Sequence, residues 1–290
     1  MPPLPRRTAP SPGPAWRDPG LKRALGALTL AAAGAALHTG VVVPRRLVVR
    51  DVPLAVPGWP RALDGLRVAV VADVHAGAPW VGLGRVREVV RRVIDARPDL
   101  VLLLGDHLAD VRLGTRLPPG PVAGAMAALA AAAPVAGVLG NHDWSGDGEA
   151  VRAAFDDAGL PVLEESAVPV LDGRLWVAGV GDLWTRSPSV PAALADVPDG
   201  APVVLLTHNP DVVLDVPARV PLVLAGHTHG GQLAVLGRPL HRISRVHGNR
   251  WRAGWYPADR MYISPGIGTS SLPVRSVTPE VPVLVLRASP

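Results

Sequence analysis

The chain has 290 residues, a formal net charge of +5, 48% hydrophobic residues and no cysteine. That composition excludes a disordered chain, a disulfide scaffold and any thiolate metal site or cysteine nucleophile. The charge is unevenly spread: residues 1–50 hold Arg6, Arg7, Arg17, Lys22, Arg23, Arg45, Arg46 and Arg50 against Asp18, or +7, which leaves 21 bases and 23 acids, or −2, in the remaining 240 residues. A body with that balance lacks the basic surface expected of a nucleic-acid partner.

Residues 1–20 are rich in Pro, Arg and Gly and read as a disordered basic leader. Residues 24–43 carry no formal charge and lie between Lys22-Arg23 and Arg45-Arg46. Their length matches one crossing of a bilayer core roughly 30 Å thick, so 21–44 reads as a transmembrane anchor. The rival reading is an export signal, cleaved near Ala31, Ala33 or Ala35. The expectation is a single-pass anchor holding residues 45–290, one domain, outside the cytoplasm, or export after cleavage.

From residue 66 onward, five short and nearly continuous apolar runs each stop at polar residues able to bind metal. Run 68–72 ends at Asp73-Val74-His75 and run 100–105 at Asp106. Run 135–140 ends at Asn141-His142-Asp143, run 203–207 at His208, and run 222–226 at His227-Thr228-His229. Unbroken rather than alternating apolar runs predict strands covered on both faces, whose functional groups gather beyond their carboxyl ends. Helical spacing predicts helices over 83–96, 122–133 and 149–158, and further strands are expected at 174–180, 232–236, 260–264 and 281–287. Strands and helices in alternation predict an α/β layered domain of two packed sheets with helices outside.

Asp73, His75, Asp106, Asn141, His208, His227 and His229 are carboxylate, imidazole and amide groups suited to divalent Mn, Fe or Zn. Seven are too many for one tetrahedral ion and enough for two sharing a carboxylate. Two such ions, after two carboxylates and a hydroxide, leave a charge of about +1, which favours a phosphate-bearing substrate. His107, His241 and His247 match no such position.

The ordered set Asp73-Val74-His75, Gly105-Asp106, Gly140-Asn141-His142-Asp143, His208 and Gly226-His227-Thr228-His229 resembles the calcineurin-like metallophosphoesterase superfamily. Asp64-Gly65-Leu66-Arg67, His208-Asn209-Pro210-Asp211, Gly230-Gly231-Gln232 and the tail from Ser264 to Arg275 are similar to its bacterial membrane-associated or exported branch. The resemblance implies a four-layer α-β-β-α sandwich behind an N-terminal hydrophobic helix. It implies one ion on Asp73, His75, Asp106 and His229, a second on Asp106, Asn141, His208 and His227, and attack on phosphorus by a metal-bridging hydroxide. His142 would assist the leaving group, with Asp143 orienting its ring. The chain departs from the family pattern at Ala109, where an acidic residue is usual; Asp110 follows one position later.

The implied activity is phosphodiester or phosphomonoester hydrolysis on small-molecule, lipid-type or other envelope phosphates, with membrane contact through the N-terminal segment. A nuclease or cyclic-nucleotide phosphodiesterase on the same fold is the alternative within the class, and an envelope-binding protein with incidental activity lies outside it. The tryptophans read mainly as core or rim packing; the lesser reading sets Trp80 and Trp144 at the pocket mouth, and Trp251 and Trp255, with Arg250 and Arg252, at an amphiphilic surface. Arg275 has two readings, a phosphate contact or a salt bridge with Glu280.

Overall fold

The computed structural model describes residues 19–111, 113–235, 238–239, 244, 247–270 and 272–289. The leader expected over 1–20 and His241 therefore lie largely or wholly outside the described residues.

A helix begins the described chain: α1 (Pro19–Leu37) passes through a π turn at His38–Val42 into a last turn, α2 (Val43–Arg45). Together they make 27 residues, long and apolar enough to cross a membrane. Next come β1 (Val48–Val56), β2 (Arg67–Val71), α3 (Leu83–Asp95), β3 (Leu100–Leu104), α4 (Pro119–Met126), α5 (Ala128–Ala132) and β4 (Val135–Val138). Two helices, α6 (Asn141–Trp144) and α7 (Gly148–Asp157), precede β5 (Ser166–Val170), β6 (Leu175–Gly179), α8 (Val190–Ala193), β7 (Val203–Thr207) and β8 (Leu222–Ala225). The short ribbon β9 (Ala234–Val235) and β10 (Arg238–Pro239) is followed by β11 (Gly254–Tyr256), β12 (Met261–Ile263) and β13 (Glu280–Ala288).

The strands build a five-stranded sheet in the order β1-β13-β2-β3-β4 and a six-stranded sheet in the order β11-β12-β8-β7-β6-β5. Within the first, β2, β3 and β4 are parallel; within the second, β6, β7, β8 and β12 are. Side-chain alternation creates the layers. Val68, Val70, Leu102 and Leu104 face Val177, Val204, Leu206 and Leu224 between the sheets. Ala69, Val71, Val101 and Leu103 face the other way, against Val86, Val89 and Val93 of α3 and Val122 and Met126 of α4. On the far side of the second sheet, Leu205, Val223 and Ile263 meet Val190 and Leu194 at α8 and Val212 and Val213 of the turn after His208. This is the expected four-layer sandwich with its N-terminal apolar helix.

Several elements differ from the periodicity: β5, β10, β11, α6 and α8 are short elements it does not predict, and two larger differences have clear causes. The helix expected over 122–133 begins earlier, at Pro119, where proline's fixed φ suits a first turn, and is divided into α4 and α5. β1 was not predicted, because Arg50, Asp51 and Pro53 interrupt its apolar pattern; it is an edge strand, where such residues are tolerated.

Candidate metal centre

All the site candidates sit where parallel strands end. Asp73 and His75 follow β2, Asp106 follows β3, Asn141 and His142 open α6 after β4, His208 follows β7, and His227 and His229 follow β8. The chain turns sharply at these ends: Asp73, His75, Asp106, His227 and His229 all have φ between 49° and 70°. A side chain in that left-handed region costs about 1 kcal/mol or more, and five such residues converging on one place mark a functional site rather than a folding convenience. Main-chain bonds hold the turns, among them Asp73 N–H to Gly105 O at 3.0 Å, His75 N–H to Asp106 O at 2.9 Å and Gly226 N–H to His208 O at 3.1 Å. Gly140 must be glycine for a different reason: a Cβ there would collide with Oδ1 of Asp106.

Six of the seven candidates fall into two overlapping groups. Ligand atoms of Asp73, His75, Asp106 and His229 lie within 4.8 Å of one another, as do those of Asp106, His208 and His227. Nε2 of His75 is 3.1 Å from Nε2 of His229 and 3.4 Å from Oδ2 of Asp106. The same Oδ2 is 3.2 Å from Nε2 of His208, which in turn is 3.2 Å from Nδ1 of His227. Outer contacts orient these rings and carboxylates. Nδ1–H of His208 donates to Leu104 O at 2.7 Å, the His142 amide to Oδ1 of Asp106 at 2.9 Å, and the His227 amide to the Asp73 carboxylate at 3.0 and 3.1 Å. Asn141 lies between Gly140 and His142, both of which lie against Oδ1 of Asp106, and its own Oδ1 is buried with no hydrogen-bond partner among the described residues. Convergent imidazoles and carboxylates, with a buried, unpaired amide oxygen in the same strand-end turns, make a donor set that suits a divalent cation, so the residues fit one.

Burial governs the electrostatics. It pushes Asp73 up to about 7 and both His75 and His227 down to about 3, so the two imidazoles are neutral. Burial also lowers His229, assisted by His75 and Arg275. His208 and Asp106 behave oppositely. Burial opposes charge on both, but their mutual attraction and hydrogen bond prevail, holding His208 well above and Asp106 well below the ordinary values.

One expected pairing is corrected. Asp143 does not orient the His142 ring: its carboxylate accepts the Leu108 amide at 2.9 Å and the Gly140 amide at 2.9 Å, capping the turn that begins α6. The Gly140 amide at the helix start and the Leu108 amide in the loop after β3 claim it. Nδ1 of His142 meets the backbone oxygen of Asp110 instead, at 3.1 Å. The ring contact at Asp110 is therefore made by main chain, whatever side chain stands at 109 or 110.

Arg275 follows neither of its two readings. Its guanidinium is fully buried, donates to the carbonyls of Pro265, Gly268 and Val277, and stands 3.5 Å from Nδ1 of His229. Glu280 pairs with Arg50. His107 is buried, stacked on Phe155 and bonded at Nε2 to Val138 O, while His247 packs against Trp251. Trp251 is buried and bonded to Asp259, so it belongs to the fold rather than to an amphiphilic surface. Trp144 lies under Arg186 and over Gly148, whereas Trp80 is 41% exposed beside the N-terminal helix.

Sequence reasoning missed two neighbours of the site. Trp184 stands edge-on to His227 with ring centres 4.3 Å apart. Buried Asp182 accepts from Trp184 N, Thr185 N and Thr185 Oγ1, and its charge raises His208. The signal was available: β6 is a sixth apolar run that stops at a carboxylate.

A family model for calcineurin-like phosphoesterases matches residues 66–231, from the start of β2 through the last histidine pair. The chain belongs to that family. It is 27% identical over 294 residues to the metallophosphoesterase YkuE of Bacillus subtilis, covering 93% of this chain and 96% of YkuE. Phosphodiesterase YaeI of Escherichia coli is 30% identical over 234 residues, 76% of this chain and 82% of YaeI. A transmembrane protein with a metallophosphoesterase domain from Danio rerio is 29% identical over 82% of this chain, which spans 57% of that protein's length. As a calcineurin-like phosphoesterase, the protein is a metal-dependent phosphoric ester hydrolase.

Proposed function

We propose that the protein hydrolyses phosphodiester or phosphomonoester bonds with two divalent ions, Mn, Fe or Zn. One is held by Asp73, His75, Asp106 and His229, the other by Asp106, Asn141, His208 and His227. The observation that carries this reading is Oδ2 of Asp106, a single atom within 3.4 Å of His75 and 3.2 Å of His208, as a shared ligand requires. Ions held there supply the positive charge that binds a phosphate oxygen and acidifies water.

The chain's own groups complete the chemistry. Neutral His75, His227 and His229 present lone pairs, while Asp106, and Asp73 once it has lost its proton, supply the negative charge. The amide of His142 steadies Asp106 by bonding its other oxygen. As an imidazolium, His142 keeps Nδ1–H on Asp110 O and has the Nε2 proton to give to the departing oxygen; alkoxides leave poorly without one. Asp143 is a positioning residue, holding the turn that aims Asn141 and His142.

The substrate class we infer is a phosphorylated lipid or other envelope component, with Pro19–Arg45 as a single-pass anchor and the domain outside the cytoplasm. The helix's length, its charge-free stretch over 24–43 and the description of the Danio rerio relative as a transmembrane protein support the anchor. The name phosphodiesterase, carried by YaeI, supports diester chemistry. Full-length protein loaded with Mn should hydrolyse an activated aryl phosphodiester, and phospholipids above nucleotide sugars or cyclic nucleotides. No turnover of the aryl diester, or a rate unchanged by His142→Ala, refutes the mechanism; preference for cyclic nucleotides refutes only the substrate class.

A further inference from the structure

The chain enters the domain at the edge that carries the site. β1 runs parallel to β13, and β13 antiparallel to β2. The first residues of β1 therefore lie at the end of the sheet where β2, β3 and β4 finish and the metal candidates begin. Only Arg46 and Leu47 separate the N-terminal helix from β1.

The junction is clamped rather than loose. Four carbonyls in and just after the helix accept donors from the domain: Thr39 O from the Arg275 amide at 2.8 Å, Gly40 O from Trp80 Nε1 at 3.0 Å, Arg46 O from Arg85 at 2.5 Å and Leu47 O from Arg92 at 3.0 Å. Val43, Pro44 and Leu47 are buried, and the guanidinium of Arg45 lies 4.0 Å above the Trp80 ring. By contrast, no residue of Pro19–Leu37 is buried. The clamping loops also serve the site: Trp80 follows His75 in one loop, and the Arg275 side chain backs His229 in the other.

Outside the helix, the large hydrophobic side chains exposed among the described residues are Val48, Trp80, Leu113, Leu214 and Leu272. Trp80 and Leu272 belong to the two clamping loops. Leu113 belongs to the segment pinned over Gly77 by the Thr115 amide. Together with Val48, which opens β1, four of the five thus lie at the site edge, where Arg45 ends the helix and Arg46 follows it. Exposed aromatic and aliphatic side chains next to paired arginines at the end of an apolar helix have the chemistry of a membrane interface. A helix of 27 residues is about 40 Å long, enough to cross a hydrocarbon core of roughly 30 Å and set those arginines among the headgroups.

We propose that the site-bearing edge rests on the bilayer crossed by Pro19–Arg45, with Trp80, Leu113 and Leu272 in the headgroup layer and the metal centre opening toward lipid phosphates. The proposal rests on the anchor reading above but not on the substrate reading.

The chain has no cysteine, which permits clean single-site labelling. Leu113→Cys and Leu272→Cys probe the site edge. Asp172→Cys and Asp199→Cys probe exposed positions just before β6 and β7, at the opposite edge. Each full-length variant, with thermal melting matched to the parent, is labelled with an environment-sensitive thiol fluorophore. It is then reconstituted into phosphatidylethanolamine and phosphatidylglycerol vesicles carrying a nitroxide near the headgroup. Labels at Leu113 and Leu272 should shift to the blue and lose most of their emission, while those at Asp172 and Asp199 should be unaffected. Equal quenching at both edges, none at Leu113 and Leu272, or failure of the chain to stay with the vesicles overturns the proposal. Because the readout is independent of turnover, the expected quenching without lipid hydrolysis would refute the substrate class while upholding the orientation.

Discussion

Nδ1 of His142 lies 3.1 Å from the backbone oxygen of Asp110, and no carboxylate among the described residues holds that nitrogen. The contact depends on the main chain, so Asp110→Asn should alter kcat by no more than about twofold, as for a surface substitution. His142→Ala should reduce kcat by about 10²–10⁴-fold, the range of a lost general acid, with metal content unchanged. Steady-state kinetics beside elemental analysis checks both. A large loss in Asp110→Asn would mean that its side chain, not its carbonyl, orients the ring.

Asp143 acts at one remove. Asp143→Ala would strand the amides of Leu108 and Gly140, both bonded at 2.9 Å to a buried carboxylate. The expected cost is roughly 2 kcal/mol or more of stability, read by denaturant unfolding. Activity should fall with it, and Asp143→Asn, which keeps one acceptor oxygen, should recover part of both.

Asp106→Asn keeps the shape of the bridging position and removes its charge. With Oδ2 of Asp106 shared between two histidine-bearing groups, both ions should weaken, whereas His229→Ala should weaken one. Metal analysis after dialysis should find clearly more retained metal in His229→Ala than in Asp106→Asn. Equal retention would argue against a shared ligand.

The residues that could be read from the sequence are those whose position alone discloses their task. Asp73, Asp106 and His208 each end an unbroken apolar run, and a buried parallel strand can deliver its polar group only at its carboxyl end. The layer order followed from the same runs. Asp143 was misread because adjacency to His142 is equally compatible with a ring contact and with a helix cap; the choice belongs to the turn geometry. Asp110 acts through a carbonyl, which no residue type encodes. Arg275 was misplaced because it sits behind His229, where a loop from near the end of the chain closes over the site. β1 was overlooked because an edge strand need not be apolar on both faces.

Proton linkage should make metal binding depend on pH. Burial raises Asp73 to about 7 from an ordinary value of 3.8, and His208 is held protonated by Asp106. Both groups must lose a proton to act as ligands, so affinity should climb as pH rises through about 7. The stability of the metal-free protein follows the sign for a raised carboxyl. The Asp73 contribution is fully present below its unfolded value and is lost as pH rises through about 7. Manganese should therefore raise Tm more at pH 8 than at pH 6. Calorimetric titration of chelator-treated protein should show greater proton release at pH 6; a pH-independent affinity would contradict the assignment of Asp73.

Trp184 and Asp182 offer a test of the wall on the His227 side. Oδ2 of Asp182 gathers Trp184 N, Thr185 N and Thr185 Oγ1 at 2.9–3.0 Å and sets the indole edge against His227. Trp184→Ala should raise KM for bulky diesters with little change in kcat or metal content, and Trp184→Phe should restore much of the loss. Asp182→Ala should do more, because it frees the loop, costs roughly 2 kcal/mol through unpaired amides, and removes a charge that keeps His208 basic. If Trp184→Ala instead releases metal while KM holds, the indole steadies His227 and does not line the substrate's path.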